Sequence, residues 1–173
     1  MTMEVILVDE NDVQIGTMEK MEVHEKALLH RAFSVFIFNN KGEMLLQKRA
    51  AKKYHSASLW TNACCSHPAP GQATLPAAAK RLIEEMGFTT TLKKAFHFIY
   101  KAPFDNGLTE HEFDHVFIGT YNNNIFPNGD EVSDYCYKPL VEIKDSIQSH
   151  PQKYTAWFKI AFPKLQAYLV TND

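Results

Sequence analysis

The sequence of 173 residues has few of the features that mark secreted or membrane-bound proteins. It contains three cysteines, an odd number, and the adjacent pair Cys64 and Cys65 is poorly placed to form a bridge. Such cysteine usage favours free thiols and a reducing compartment. No run approaches the roughly 18 apolar residues of a membrane span, and the acidic first segment does not resemble a signal peptide. We therefore expect a cytoplasmic protein.

Excess charge of either sign is also missing. The formal net charge is -2 and charged residues make up 22% of the chain, which disfavours a whole-protein nucleic-acid or membrane binder. What the sequence does contain is a hydrophobic share of 45%, an ordinary value for a globular protein. Its length suits one domain over residues 1–173, with a hydrophobic core large enough to fold without disulfides or a structural metal.

Hydrophobic periodicity predicts the α+β class, with a mixed sheet and helices packed on it. Strands are predicted twice within 5–16 and then at 33–38, 43–48, 89–102, 112–121 and 134–137. Helices are predicted at 75–87, 140–147 and 154–169. Pro163 predicts a break in the last helix after Phe162, because proline removes a helical hydrogen bond. Residues 103–111 are predicted to form a loop.

The helix predicted at 75–87 carries two patterns and ends at Gly87. Four apolar residues at helical spacing form one stripe: Ala79, Leu82, Ile83 and Met86. Three charged residues form the opposite face: Arg81, Glu84 and Glu85. Such a face is usually a solvated ion pair, but clustered carboxylates also suit a hard cation that holds a diphosphate. The pattern alone leaves both interpretations open.

Histidines and carboxylates recur in separated segments of the chain. The members of this set are His24, His30, His67, Glu110 and Glu112. If residues 110–112 continue the strand that follows, its period of two places both carboxylates on one face. Imidazole and carboxylate together suit a divalent transition metal, whereas a single histidine is usually structural or exposed. Spacing alone does not show whether the fold brings the set together.

The segment TNACCSHPAPG at 61–71 leaves the role of Cys65 open. A buried free thiol is commonly inert. Polar neighbours such as Asn62 and His67 favour instead a partly open setting, in which a thiol can react. A structural zinc site is disfavoured, because the usual second pair of ligands is absent.

The sequence as a whole resembles the type I isopentenyl-diphosphate isomerases, a branch of the Nudix fold. The resemblance covers about residues 16–157 and rests on segments in the family's order, among them LLHRAFSVFIFN, LLQKR, WTNACCSHP, EEMG, EHEFDHVF and DEVSDY. The Nudix signature survives only in part: Glu84 and Glu85 remain, while Gln72 and Arg81 stand where the signature has glutamates. This partial loss fits a protein that binds a diphosphate without cleaving it.

The resemblance implies a Nudix-like α+β fold, with a mixed β-sheet sandwiched between helices, and isomerisation of isopentenyl diphosphate to dimethylallyl diphosphate in isoprenoid biosynthesis. The catalytic residues it implies are Cys65, Glu112 and Tyr100. The ligands it implies for one divalent ion (Mn²⁺, Zn²⁺ or Mg²⁺) are His24, His30, His67, Glu110 and Glu112. It implies Glu85 as the ligand of Mg²⁺ on the diphosphate. The substrate-binding residues it implies are Lys20, Arg49, Lys53, Arg81 and Trp157.

Further expectations follow from this resemblance. The partner is a small molecule rather than a nucleic acid or a membrane, and the protein is a monomer or weak dimer. Cys65 is expected to shuttle between thiol and thiolate near neutral pH. The segment between His24 and His30 varies in length within the family, and we keep both histidines as ligands. The segment YHSASLW at 54–60 lacks the aromatic-Pro-Gly of many members, which would reshape the rim of the site.

Two other functions fit parts of the sequence. One is a Nudix hydrolase of a diphosphate compound, which the degraded signature disfavours. The other is a catalytically inactive metal-binding domain, which the intact pair of Cys65 and Glu112 disfavours.

Overall fold

The computed structural model describes residues 3–104 and 106–172. Within them, nine strands form one mixed sheet: β1 Glu4–Val8, β2 Gln14–Glu19, β3 His30–Phe38, β4 Met44–Arg49, β5 Trp60–Thr61, β6 Cys64–Ser66, β7 Lys93–Pro103, β8 Thr109–Thr120 and β9 Val132–Lys138. Four α-helices accompany these strands: α1 Lys20–Lys26, α2 Thr74–Met86, α3 Leu140–Ser149 and α4 Ala156–Thr171. None of these four helices has the length and apolar character needed to span a bilayer.

Strand β3 connects the parts of the sheet, because it pairs with β1, β4, β6 and β8. Its pairing with β8 is parallel and places His30 opposite Glu112. Its pairing with β6 is antiparallel and places Ser34 opposite Cys65. Strands β6 and β8 flank β3 on its two edges, so residues that are distant in sequence meet around this strand.

The sheet separates two hydrophobic cores, since alternate residues of β3 point to opposite faces. Val35 packs with Leu82 in the core beneath α2. Phe36 packs with Ile143 and Phe158 in the core beneath α3 and α4. Helices cover both faces, so the predicted α+β sandwich is confirmed.

Most of the predicted strands and helices are present with small changes at their ends. The two N-terminal strands flank a turn in which the Asp9 carboxylate accepts hydrogen bonds from the N–H groups of Asn11 (2.8 Å) and Val13 (3.0 Å). The predicted strands at 33–38, 43–48, 89–102, 112–121 and 134–137 correspond to β3, β4, β7, β8 and β9. The predicted helix at 140–147 is α3, which continues to Ser149.

The sequence patterns do not predict helix α1, which carries His24. It has seven residues, too few for a periodic stripe to be recognised. Its start depends on a cap, because the Glu19 carboxylate accepts hydrogen bonds from the N–H groups of Met21 and Glu22. It ends at Ala27, which adopts the left-handed conformation with φ 53°.

Two predictions about where secondary structure is interrupted are wrong. Residues 103–111 do not all form a loop, because β7 extends to Pro103 and β8 begins at Thr109. Glu110 and Glu112 consequently lie on one strand and are both buried, as the alternation predicted. Helix α4 runs through Pro163 without interruption. Phe162 and Leu165 on either side of it are buried in the core, and this packing offsets the lost hydrogen bond.

The two faces predicted for α2 need correction at two positions. Ile83 is 51% exposed, so it is not part of the apolar stripe, whereas Glu85 is only 6% exposed. The Glu85 carboxylate can be buried because it accepts hydrogen bonds from Gln47 (2.8 Å) and Arg81 (2.5 Å). Glu84 remains at the surface, paired with Arg81.

Gly87 ends α2 as predicted, and the structure shows why glycine is needed there. Its φ is +73°, and an added Cβ would lie 2.1 Å from the carbonyl oxygen of Phe126. Gly87→Ala should lower the free energy of unfolding by more than the ~1–2 kcal/mol of the left-handed conformation alone. Gly42→Ala is the matched control, because Gly42 has φ +75° and open space around it. Denaturant unfolding measures the free energy of unfolding of both variants. Equal losses of stability in the two would show that the Phe126 backbone moves to accommodate the added methyl group.

Candidate active site

The candidate active site is a cavity beside strands β3, β6 and β8. It is lined by most of the residues that the sequence singled out: Lys20, Arg49, Lys53, Cys65, His67, Arg81, Glu85, Tyr100, Glu110, Glu112 and Trp157. His24 and His30 do not line it, but their rings lie 6.0 Å and 4.9 Å from the ring of His67, between centroids. The fold therefore collects residues from eight elements and two loops in one place.

Four of the residues predicted as ligands form a compact group: His24, His30, His67 and Glu112. One potential ligand atom from each lies within 4.8 Å of those of the others, and all four residues are buried. The His67 Nε2 lies 2.9 Å from Glu112 Oε1 and 3.2 Å from His30 Nε2. Three nitrogens and one carboxylate oxygen at such separations can hold a divalent metal ion.

A backbone contact fixes the ring of His30 in a form that can bind a metal. Its Nδ1 lies 2.9 Å from the carbonyl oxygen of Leu28, which can only accept a hydrogen bond. Nδ1 therefore carries the proton, and the lone pair on Nε2 points toward His67 and Glu112. Histidine ligands of metals are commonly oriented by such a second contact.

Further properties of this group fit a bound cation. Among the described residues, neither ring nitrogen of buried His24 has a hydrogen-bond partner. Burial, together with His67 and His30, lowers the pKa of His24 to about 3, and burial lowers the pKa of His67 to about 4. Both rings are thus neutral at neutral pH, which is the form that binds metal ions. A cation would give the His24 lone pair the partner that it lacks.

Glu110, the fifth predicted ligand, is not a member of this group of four but lies next to it. Tyr100 connects the two carboxylates, since its hydroxyl oxygen lies 2.9 Å from Glu110 Oε2 and 2.7 Å from Glu112 Oε2. Burial and the neighbouring charge of Glu112 raise the pKa of Glu110 well above its usual range. A cation beside Glu110 and Glu112 would stabilise their ionised carboxylates and so oppose this rise in pKa.

Cys65 lies on the cavity side of β6, whereas Cys64 points into the core beneath α2. The Cys65 thiol donates a hydrogen bond to Asn62 Oδ1 (3.1 Å), and the Ser34 hydroxyl lies 3.4 Å from the Cys65 sulfur. Burial raises the pKa of Cys65 above its ordinary value, and Asp114 adds to this effect. This direction favours the protonated thiol in the free protein and argues against a thiol that titrates near neutral pH.

Basic side chains also line the cavity. Lys20, at the start of α1, is half-buried, and burial lowers its pKa. Lys53 pairs with Glu131, which also lies 3.5 Å from Arg81. Arg49 lies over the ring of Trp157, with its guanidinium carbon 5.2 Å from the centroid. Basic side chains of this kind suit an anionic ligand such as a diphosphate.

Sequence reasoning missed three polar residues that complete the site. Ser34 is one polar residue in a β-rich run, which is no sign of function by itself. Asn62 was noted only as polar, yet its amide donates to the carbonyl oxygens of Val35 (2.9 Å) and Cys64 (3.0 Å), which orients its oxygen toward the thiol. His55 lines the cavity and was not considered as a site residue.

Comparison with known proteins places this site in a family. The NUDIX domain family matches residues 28–158, most of the chain. An isopentenyl-diphosphate Delta-isomerase 2 from Photorhabdus laumondii is 54% identical over 89% of this chain and 87% of its own length. An isopentenyl-diphosphate Delta-isomerase from Pectobacterium atrosepticum is 50% identical over 95% of this chain and 92% of its own. The chain belongs to the isopentenyl-diphosphate Delta-isomerase family of NUDIX-domain proteins.

Solved structures confirm the fold at much lower identity. A MutT protein from Methanosarcina mazei superimposes with a TM-score of 0.67 at 19% identity, covering 84% of this chain and 96% of its own. An Ap4A hydrolase from C. elegans superimposes with a TM-score of 0.59 at 18% identity, covering 82% of this chain and 98% of its own. These two structures support the Nudix-like architecture.

Proposed function

We propose that this protein converts isopentenyl diphosphate to dimethylallyl diphosphate. The observation that supports this best is the placement of Cys65 and Glu112 in one cavity, with a basic region beside them. The named relatives at 54% and 50% identity carry the same activity in their names. Moving the double bond requires one proton to be added and another to be removed, and two groups of this kind can do both.

The residues have distinct parts in this reaction. Cys65 and Glu112 exchange protons with the substrate carbons, and the reversible reaction interchanges donor and acceptor with its direction. Tyr100 holds the Glu112 carboxylate through a 2.7 Å hydrogen bond. The face of Trp157, which is 4% exposed, is suited to a developing positive charge on carbon. Burial of these groups excludes water, which would otherwise trap a carbocation.

Two divalent ions are part of the proposal. His24, His30, His67 and Glu112 would hold one, with Glu110 completing its ligands, and Glu85 would hold Mg²⁺ together with the diphosphate. When bound, the first would hold the Glu112 carboxylate in place and favour its ionised form, and Mg²⁺ would neutralise part of the diphosphate charge. The first ion is Zn²⁺, Mn²⁺ or Mg²⁺; the three imidazoles suit Zn²⁺ best, whereas the carboxylates also suit Mn²⁺ and Mg²⁺.

The direct test is an assay with isopentenyl diphosphate and Mg²⁺, followed by chromatographic separation of the products. Dimethylallyl diphosphate should accumulate without release of inorganic phosphate. A hydrolase would instead release phosphate, pyrophosphate or a monophosphate, and such products without isomerisation would reject the proposal. Hydrolysis is disfavoured because Arg81 and Gln72 stand where the Nudix signature has carboxylates.

Glu85→Gln should distinguish the two proposed metal sites, because it should affect only one of them. The buried Glu85 carboxylate contacts Arg81 and Gln47 and is not a member of the histidine group. The variant should therefore bind Mg²⁺-diphosphate more weakly while it retains the metal at the histidine site. Calorimetric titration and elemental analysis measure the two effects. Glu84→Gln, at the exposed neighbouring position, is the matched control, and loss of both metals in Glu85→Gln would contradict two separate sites.

A further inference from the structure

The active-site cavity adjoins two surface clefts of different character. The first shares with the cavity the residues Lys20, Lys53, Ser66, His67 and Arg81, and adds Lys80. The second has apolar surface from Leu59, Phe104, Tyr154 and Ala156. A diphosphate belongs at the basic side, so the hydrocarbon part of a bound substrate lies toward the second cleft.

His55 separates the cavity from this second cleft. Of the described residues, it alone lines both. Its ring stacks on Phe104, with centroids 4.9 Å apart and an interplanar angle of 19°. On the cavity side it meets Trp157 edge to face, at 5.8 Å and 85°. The His55 side chain is 7% exposed and its Nε2 lies 3.8 Å from Glu110 Oε1, so the ring forms a partition between the cavity and the cleft.

The backbone around His55 is constrained in a way that holds this partition in place. Arg49 donates a hydrogen bond from Nη2 to the carbonyl oxygen of His55 (3.2 Å). Ser56 and Ser58 both adopt positive φ, 50° and 61°, which serine rarely does. Such strain persists only where the surrounding structure determines it. These contacts and conformations define the path of the backbone beside the ring.

The geometry points to His55 as a specificity-determining residue: its ring, supported by Phe104, closes the hydrocarbon end of the cavity and limits the substrate to a five-carbon diphosphate. This inference rests on the proposed function. A longer prenyl chain extends from the alkene end of the molecule, opposite the diphosphate, and the orientation given above places that end at His55. Removing the ring would join the cavity to the apolar cleft, where additional carbons can be buried.

Binding of two diphosphates tests this limit without requiring turnover. Isopentenyl diphosphate and geranyl diphosphate, which has ten carbons, are titrated with Mg²⁺ into the full-length protein by calorimetry. The wild type should prefer the five-carbon compound. His55→Ala should reduce that preference by at least about tenfold, since hydrophobic pockets discriminate by roughly this factor for each methylene. His55→Phe, which keeps a flat ring on Phe104, should retain the preference of the wild type.

The outcomes separate the two proposals. If His55→Ala binds the five-carbon compound and rejects the ten-carbon one as strongly as the wild type does, the partition has no role in chain length. A reduced preference in His55→Phe as well would also overturn the inference, because ring size would not be the cause. If His55→Ala fails to fold, Phe104→Ala, which removes the ring that supports His55, should reduce the preference for the five-carbon diphosphate instead. An unchanged preference in that variant would overturn the inference. A wild type that binds no isopentenyl diphosphate would reject the proposed function and this limit together.

Discussion

Cys65→Ala should lower kcat for isomerisation by roughly 10²–10⁴-fold, the usual cost of losing a general acid or base. The thiol faces the cavity, donates to Asn62 and holds its proton in the free protein, so it is a proton donor in position. In D₂O the wild type should place deuterium in the product and in recovered substrate, and Cys65→Ala should not. Mass spectrometry of both compounds measures the incorporation.

The adjacent thiol provides the control for this variant. Cys64 is fully buried in the core beneath α2 and does not line the cavity. Cys64→Ala should retain most of its turnover and its deuterium incorporation. The metal content of Cys65→Ala should equal that of the wild type, because the thiol is not a member of the ligand group. Turnover by Cys65→Ala near the wild-type rate would show that the thiol is an inert buried cysteine.

His67→Ala should abolish stable metal binding at the histidine site and reduce kcat strongly. His67 contacts both His30 and Glu112 through Nε2, so its loss removes the central ligand of the group. Loss of an outer-shell partner alone typically costs about 10–100-fold in affinity or activity, and loss of a ligand should cost more. Elemental analysis of the purified protein and steady-state kinetics measure the two effects.

His150→Ala is the matched histidine variant, because His150 is exposed at the end of α3. It should retain metal and activity at wild-type levels. Equal metal content in His67→Ala and the wild type would remove His67 from the site. Loss of metal from both variants would indicate adventitious binding of metal to histidines rather than a specific site.

The elements that the sequence predicts best are those whose signals are local. Helix α2 follows from its periodicity and from Gly87, and the hairpin of β1 and β2 follows from a turn with Asp9. Helix α1 escapes prediction because its start depends on one capping carboxylate, Glu19, rather than on a stripe. The continuity of α4 through Pro163 escapes it because tertiary packing overrides the local preference of proline.

The chemistry of the site is predicted from residue types and family resemblance, but its supporting contacts are not. The burial of Glu85 depends on Gln47, which lies far away in sequence on β4. The orientation of Asn62 depends on two backbone carbonyls that only the folded sheet presents. His55 lies in the segment 54–60, where the aromatic-Pro-Gly of many family members is missing, and its place between the cavity and the cleft appears only in three dimensions. Long-range pairing carries no local sequence signal.

The parallel pairing of β3 with β8 has a consequence for how the proposed metal ion would be acquired. This pairing aligns His30 with Glu112, which are about eighty residues apart, and contacts of such long range form slowly during folding. The carboxylate cannot meet the histidines before this register is established. Because a metal that binds only the native state stabilises it, uptake of the ion would be a late event that favours the completed register over slipped ones. The ion would then stabilise the correctly paired sheet in addition to its part in the reaction.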